Sequence, residues 1–92
     1  MPEILLAEIL LQVGANLRRL RGERYTQQSL ADRVGMTVQY LSRIERGDVN
    51  PTLATLVRLA NALEARPSEL MRRVTVRRAR PGRPKKRRGS SR

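Results

Sequence analysis

Two residues four positions apart, Gln39 and Arg43, carry side chains that can pair with the edges of nucleic-acid bases. A spacing of four places both on one face of a helix. The Gln amide fits the N6 and N7 edge of adenine, the Arg guanidinium fits O6 and N7 of guanine, and Val38 or the Thr37 methyl group fits a thymine methyl. We therefore expect these four residues to read bases. For Arg43, a phosphate contact or a solvated position is the alternative.

The residues around this face predict a helix from about 38 to 46. Thr37 is a type that caps helix N-termini, and Gly47 ends the helix before the loop DVNP. Leu41 and Ile44 lie three positions apart and would anchor the helix from behind. The remaining side chains of the helix then face outward.

A shorter helix is predicted from about 27 to 34. Thr26 is its expected N-cap, Gly35 supplies the turn that follows, and the small Ala31 permits a close crossing with the next helix. Leu30 and Val34 complete its inward face. Two helices joined in this way form a helix-turn-helix pattern, and an ordinary αα-hairpin within a bundle is the alternative.

Three further helices complete an all-α domain. Spacings of three and four between apolar residues predict a first helix over about 3–21 and a fourth from 53 to 63 or 64, and Pro67 suits the start of a last helix over 67–73. VTV at 74–76 is too short to predict a strand. The predicted inward residues are Leu6, Ile9, Leu10, Val13, Leu17 and Leu20 in the first helix, and Leu53, Leu56, Val57, Leu59, Ala60 and Leu63 in the fourth.

The net charge of +12 is unevenly distributed along the 92 residues. Residues 1–71 contain nine arginines and eight acids, whereas residues 72–92 contain eleven basic residues and no acid. This distribution is typical of a folded part followed by a cationic arm, with nucleic acid rather than membrane as its partner. The arm has almost no apolar residues, so we expect it to be disordered when free.

The absent residue types narrow the function further. Without cysteine or histidine the chain has no thiolate and no imidazole, so we predict no enzyme, no metal site and no cofactor. The N-terminus MPEILLAEILLQV lacks the basic leader of a secretory signal, and no apolar run reaches the about 18 to 20 residues of a membrane span. We expect a cytoplasmic, nucleoid-associated protein.

Residues 14–71 resemble the lambda-repressor-like helix-turn-helix regulators of the Xre or Cro/C1 type. The resemblance lies in GANLRRLR, TQQSLADRVGMTVQYLSRIERG, NPTLATLVRLANAL and PSEL. It implies a five-helix DNA-binding domain, commonly a dimer on a palindromic operator, with restriction-modification controllers and antitoxins among the small relatives. It also implies that Gln27 contacts the DNA backbone and braces the recognition helix, and that Arg21 and Glu45 form a structural ion pair. Arg18 is the alternative to Arg21, because the loop RGERYTQ is one residue shorter than the usual form. A second departure from the family pattern is Glu64, which stands where a glycine is common.

Other polar residues near the recognition helix are expected to contact phosphates, which position a protein without specifying a sequence. For Tyr40, half-buried packing is the alternative. The predicted backbone contacts are Gln27, Gln28, Tyr40, Ser42, Arg46 and Asn50.

Within the basic arm, ARPGRPKKRR is similar to an AT-hook, whose Gly-Arg-Pro centre lies in the minor groove of A·T-rich DNA. Pro81 stands where a fuller hook has arginine, so a nonspecific polybasic arm is the alternative. The predicted minor-groove or phosphate contacts of the tail are Arg80, Gly82, Arg83, Pro84, Lys85, Lys86, Arg87 and Arg88.

Together these features predict a sequence-specific regulator of transcription that binds double-stranded DNA as a homodimer. Residues 1–13 extend the first helix and either contact a second copy or fold back on the core, 14–72 form the helix-turn-helix domain, and 73–92 form the basic tail. A toxin or RNA polymerase is a further possible partner. An antitoxin and an architectural nucleoid-type protein are the alternative functions.

Overall fold

The computed structural model describes residues 3–74, which form five helices. They are α1 (Leu6–Arg21), α2 (Gln27–Val34), α3 (Val38–Arg46), α4 (Leu53–Ala62) and α5 (Pro67–Leu70). The all-α prediction is confirmed, and α2 and α3 have the predicted bounds. No strand occurs within residues 3–74, and none of the helices there is long and apolar enough to cross a membrane.

Side-chain caps and glycines set the ends of the central helices. The hydroxyl oxygens of Thr26, Thr37 and Thr52 each accept a hydrogen bond from the backbone N–H three residues on, at 2.9, 3.0 and 3.1 Å. These bonds satisfy N–H groups that a helix leaves free at its start. Gly35 and Gly47 end α2 and α3 with φ of 77° and 76°, a left-handed conformation that favours glycine.

The five helices enclose one core. Helix α1 packs against α3 and α5, α2 packs against α3 and α4, and α4 packs against α5. The recognition helix α3 is therefore held from behind by both α1 and α2. The largest fully buried apolar side chains are Leu17, Leu30, Leu41, Ile44, Leu59 and Leu70.

Gly14 allows α1 and α3 to touch backbone to backbone. A Cβ atom at this position would lie 2.2 Å from the carbonyl oxygen of Glu45 and 2.8 Å from that of Ile44. No side chain fits in that space. Glycine costs a helix interior stability, so its presence in the middle of α1 is explained by this close approach.

Asn16 joins α1 to the end of α5. Its side chain is fully buried, and Nδ2 donates to the carbonyl oxygens of Leu70 at 3.1 Å and Arg72 at 2.7 Å. The Asn16 Oδ1 accepts from Arg19 Nη2 at 2.9 Å. A buried amide is stabilising only when it is satisfied in this way, and nothing in the sequence pattern pointed to it.

Three helix ends differ from the approximate positions that the sequence predicted. Helix α1 begins at Leu6 instead of about residue 3, and its N-cap residue, Leu5, is extended and makes no side-chain cap. Helix α4 ends at Ala62, since the chain turns at Glu64, which has a φ of 57°. Helix α5 ends at Leu70 instead of 73, where Asn16 takes the carbonyl groups that further helical turns would use.

Some apolar residues predicted to face inward are exposed. Leu6, Leu53 and Val57 are exposed, because each lies at a helix end or on a flank that no described helix covers. Ile4 and Leu5 are also exposed. The rest of the two predicted apolar faces is buried or half-buried.

Candidate nucleic-acid interface

The outer face of α3 carries Gln39 and Arg43, both of them exposed. Leu41 and Ile44 on its opposite face are at most 1% exposed and belong to the core. The side chains of Gln39 and Arg43 make no hydrogen bond or ion pair with any residue in the described range 3–74. Their donors and acceptors are therefore open to a ligand.

The other two predicted base-reading residues are partly engaged. The Thr37 hydroxyl oxygen caps α3, and the residue is exposed. Val38 is half-buried and packs against the core. Tyr40 is half-buried in the same way, which is the packing alternative, and a phosphate contact by its hydroxyl stays a prediction.

Arg46 is held by two acceptors at the end of α3. Its Nη1 donates to Ser42 Oγ at 2.6 Å, and its Nε donates to Asp48 Oδ2 at 2.9 Å. Ser42, one turn earlier, is thus a partner of Arg46 before any ligand binds. The Asp48 carboxylate, which the sequence interpretation did not include, fixes the direction of this guanidinium.

A cluster around Glu45 ties the start of α2 to the end of α3. Glu45 is 4% exposed and pairs with Arg21 through two bonds, Nε to Oε2 at 2.7 Å and Nη2 to Oε1 at 3.0 Å. Gln27 Nε2 donates to Oε1 at 2.9 Å. Arg18 Nε lies 3.9 Å from the same oxygen. A buried carboxylate needs such partners, and Arg21, not Arg18, supplies the bidentate pair.

The remaining predicted contacts lie apart from this cluster. Gln28 Nε2 donates to Asp32 Oδ1 at 2.9 Å on the exposed face of α2, and Asn50 is exposed in the loop after α3. The predicted tail contacts, which run from Arg80 to Arg88, lie outside the described residues.

One further contact supports the turn of the motif. Arg58 Nη2 on α4 donates to the carbonyl oxygen of Val34, the last residue of α2. This bond satisfies one of the carbonyl groups that a helix leaves free at its end. Within the described residues no group of three or more acidic side chains is placed to hold a metal ion.

The geometry is that of a recognition helix presented by a second helix, and comparison with known families agrees with it. The helix-turn-helix family HTH_3 matches residues 17–70, which include α2 to α5. The chain belongs to the HTH_3 family. Members of this family are DNA-binding transcriptional regulators, and so is this chain.

Three relatives show how far the similarity of this HTH_3 chain extends. It is 48% identical over 60 residues to the HTH-type transcriptional regulator y4dJ of Sinorhizobium fredii, covering 64% of this chain and 78% of that protein. It is 37% identical over 65 residues to the immunity repressor of Bacillus phage phi105, covering 70% of this chain and 45% of the repressor. The restriction-modification controller protein C.AhdI of Aeromonas hydrophila superposes with a TM-score of 0.63 at 37% identity, covering 66% of this chain and 94% of that one.

Proposed function

We propose that this HTH_3 chain binds a palindromic operator as a homodimer and represses transcription by occupying it. The observation that carries the proposal is the exposed face of Gln39 and Arg43, free of intramolecular partners in the described residues, on a helix anchored by Leu41 and Ile44. A helix of this kind fits the major groove. In a dimer, the two recognition helices would lie about 34 to 36 Å apart.

In this arrangement Gln39 pairs with adenine and Arg43 with guanine. Thr37 and Val38 stand at the start of the same helix, where a thymine methyl group would meet them. Gln27 contacts a phosphate at the start of α2, and its bond to Glu45 holds the amide in place for that contact. The other backbone contacts come from Gln28, Tyr40, Ser42, Arg46 and Asn50.

Repression is supported by the kind of protein this chain resembles. One relative is an immunity repressor. A bound dimer that overlaps a promoter would exclude RNA polymerase by occupying the same DNA. No contact with a toxin is needed for this mechanism.

The homodimer is proposed to form through the N-terminal apolar side chains. Ile4, Leu5 and Leu6 are 74%, 54% and 58% exposed. Covering apolar groups of this size with another surface lowers the free energy. Light scattering of Leu5→Lys tests the assignment, with Leu53→Lys, at an exposed residue of α4, as the matched control. We expect a monomer for the first variant and a dimer for the second. The reverse result would move the interface to α4.

The basic tail is proposed to add minor-groove or phosphate contacts. Residues 72–92 hold eleven basic residues and no acid, and Gly82, Arg83 and Pro84 have the order of an AT-hook centre. The arginine would enter the narrow minor groove of A·T-rich DNA, where the negative potential is strongest.

In vitro selection from a random duplex library tests the function as a whole, using the full chain and residues 1–76 in parallel. The shorter chain keeps all five described helices and their core. A palindromic consensus from both chains supports a dimeric operator-binding regulator, and A·T-rich flanks from the full chain alone support the hook. Featureless A·T-rich enrichment by the full chain only would contradict the proposal and favour an architectural protein. A stable complex with a co-purified toxin would favour an antitoxin.

A further inference from the structure

We propose that Arg18 contacts a DNA phosphate beside Gln27, an inference that rests on the proposed function and adds a phosphate position to its interface. Both side chains approach the same atom of Glu45. Gln27 Nε2 lies 2.9 Å from Oε1, and Arg18 Nε lies 3.9 Å from it. Two donors that converge on one oxygen are close enough to bind two oxygens of a single phosphate group.

The charges in this cluster do not balance, and the excess lies on Arg18. One carboxylate faces two guanidinium groups, and Arg21 takes both of its oxygens at 2.7 and 3.0 Å. The Arg21 side chain is accordingly only 16% exposed, whereas that of Arg18 is 61% exposed. Arg21 therefore neutralises Glu45 within the fold, and Arg18 keeps a positive charge at the surface.

Arg18 is also held in position before it meets a ligand. Its Nη2 donates to the backbone carbonyl oxygen of Glu45 at 3.4 Å, in the last turn of α3. This contact uses one of the five N–H donors of the guanidinium, so the others remain available. A planar cation with free parallel donors matches a phosphate group. This end of α3 is remote from Gln39, so Arg18 is not assigned to a base.

A neighbouring arginine provides the matched control. Arg19 is exposed, but its Nη2 donates to Asn16 Oδ1, on the side of α1 that faces α5. Arg18→Gln and Arg19→Gln thus remove the same charge from adjacent residues on different faces of one helix, about 100° apart. The full chain is used for both variants, and thermal unfolding followed by circular dichroism reports whether each is folded.

The measurement is the dissociation constant as a function of salt concentration, on the selected operator and on random duplex. For Arg18→Gln we expect about tenfold weaker binding to both DNAs and a log–log salt slope reduced by about one. We expect an unchanged slope for Arg19→Gln. Arg18→Lys keeps the charge without the planar fork, so its slope should match that of the original chain.

Two results would overturn the inference. The first is a salt slope for Arg18→Gln equal to that of the original chain, and the second is an equal change for Arg18→Gln and Arg19→Gln, which would show only a diffuse effect of charge. Because a phosphate contact is independent of sequence, the comparison on random duplex holds even if no operator is selected. Failure of the operator proposal and failure of the Arg18 inference are therefore distinguishable.

Discussion

Three residues on the outer side of α3 differ in what holds them in the absence of DNA. Gln39 and Arg43 make no side-chain bond to the described residues, whereas Arg46 is held by Ser42 and Asp48. A free side chain can adopt the geometry that a base edge requires, and a restrained one can contact only what lies in its fixed direction. We infer that the hydrogen-bonded part of base reading belongs to the free pair.

Replacing Gln39 by Ala tests base reading directly. The variant loses the paired donor and acceptor, so we expect it to bind the cognate site about 1 to 3 kcal/mol more weakly and to tolerate every base at one position. Competition binding against a set of single-base operator variants measures both effects. An equal loss of affinity on cognate and random DNA would contradict the assignment to base readout.

Asp48 is expected to limit binding to random DNA. Its carboxylate neutralises Arg46 at 2.9 Å and would repel nearby phosphates. For Asp48→Asn we predict tighter binding to random duplex and a salt slope steeper by about one, because a negative charge beside the proposed phosphate contact of Arg46 is removed. Asp32→Asn makes the same change of charge on α2, where the carboxylate accepts from the neutral Gln28. Fluorescence anisotropy titrations measure the affinity for random duplex. An equal increase in affinity for both variants would exclude this role for Asp48.

The sequence indicated α3 and its polar face because Leu41 and Ile44 have helical spacing and Thr37 is a cap. It did not indicate Gly14, Asn16 or Asp48. Gly14 and Asn16 act through contacts with residues that are distant in sequence, which helical periodicity does not predict. Asp48 lies in a loop, whose direction periodicity does not specify. The tertiary partner decides their role, and it is visible only in the folded structure.

At the scale of helices, the junction between α4 and α5 is the strained one. Glu64 is the only residue other than glycine with a positive φ in the part of the chain that the structure describes. A side chain in this conformation is disfavoured by contact between Cβ and the backbone. The carboxylate gains little in return, because its distance to Arg24 is 3.9 Å and both side chains are largely exposed.

Glu64→Gly should therefore stabilise the domain. We expect a gain of about 0.5 to 1 kcal/mol in the free energy of unfolding, after allowance for the greater freedom of glycine in the unfolded chain. Urea denaturation measures it. Glu64→Ala, which removes the carboxylate and keeps the Cβ, is the control and should give no gain. If both variants show the same stability, the left-handed backbone at this position carries no strain.

For the helices themselves, prediction succeeded where caps and glycines define both ends. Helices α2 and α3 have the predicted bounds because Thr26 and Thr37 cap their starts, and Gly35 and Gly47 terminate them. The predicted α5 was longer than the observed helix, because the residues MRR at 71–73 are good helix formers. The competing hydrogen bonds come from Asn16 on another helix. Helix propensity, which depends on local sequence, does not include hydrogen bonds from a residue on a distant helix.

Over the whole molecule, charge is divided unevenly between two segments of the chain. Residues 1–71 contain nine arginines and eight acids, a net charge of +1, so the folded part exerts little long-range attraction on DNA. We propose that the eleven basic residues of 72–92 supply that attraction. Sequence recognition and electrostatic affinity are thus proposed to reside in different segments.

Deleting residues 77–92 separates the two contributions. The shortened chain lacks nine basic residues, so we expect weaker binding to every sequence, an unchanged consensus and a flatter salt dependence. For the full chain, with about 6 to 10 phosphates contacted, affinity should fall by about 10³ to 10⁵ between roughly 50 and 200 mM salt. Titrations at several salt concentrations measure both slopes, and parallel slopes would show that the tail does not touch the duplex.

The bonds of Asn16 also determine where the tail is tethered. Residues two apart on a helix point in nearly opposite directions, so Asn16, which holds the Arg72 carbonyl group, faces away from Gly14 and the α3 backbone behind it. The 18 residues from 75 to 92 can extend at most about 60 Å from that point, enough to pass around the domain. If the tail binds DNA as proposed, a duplex docked on α3 would meet it at an effective concentration of about millimolar. The same peptide added separately at micromolar concentration would not replace it.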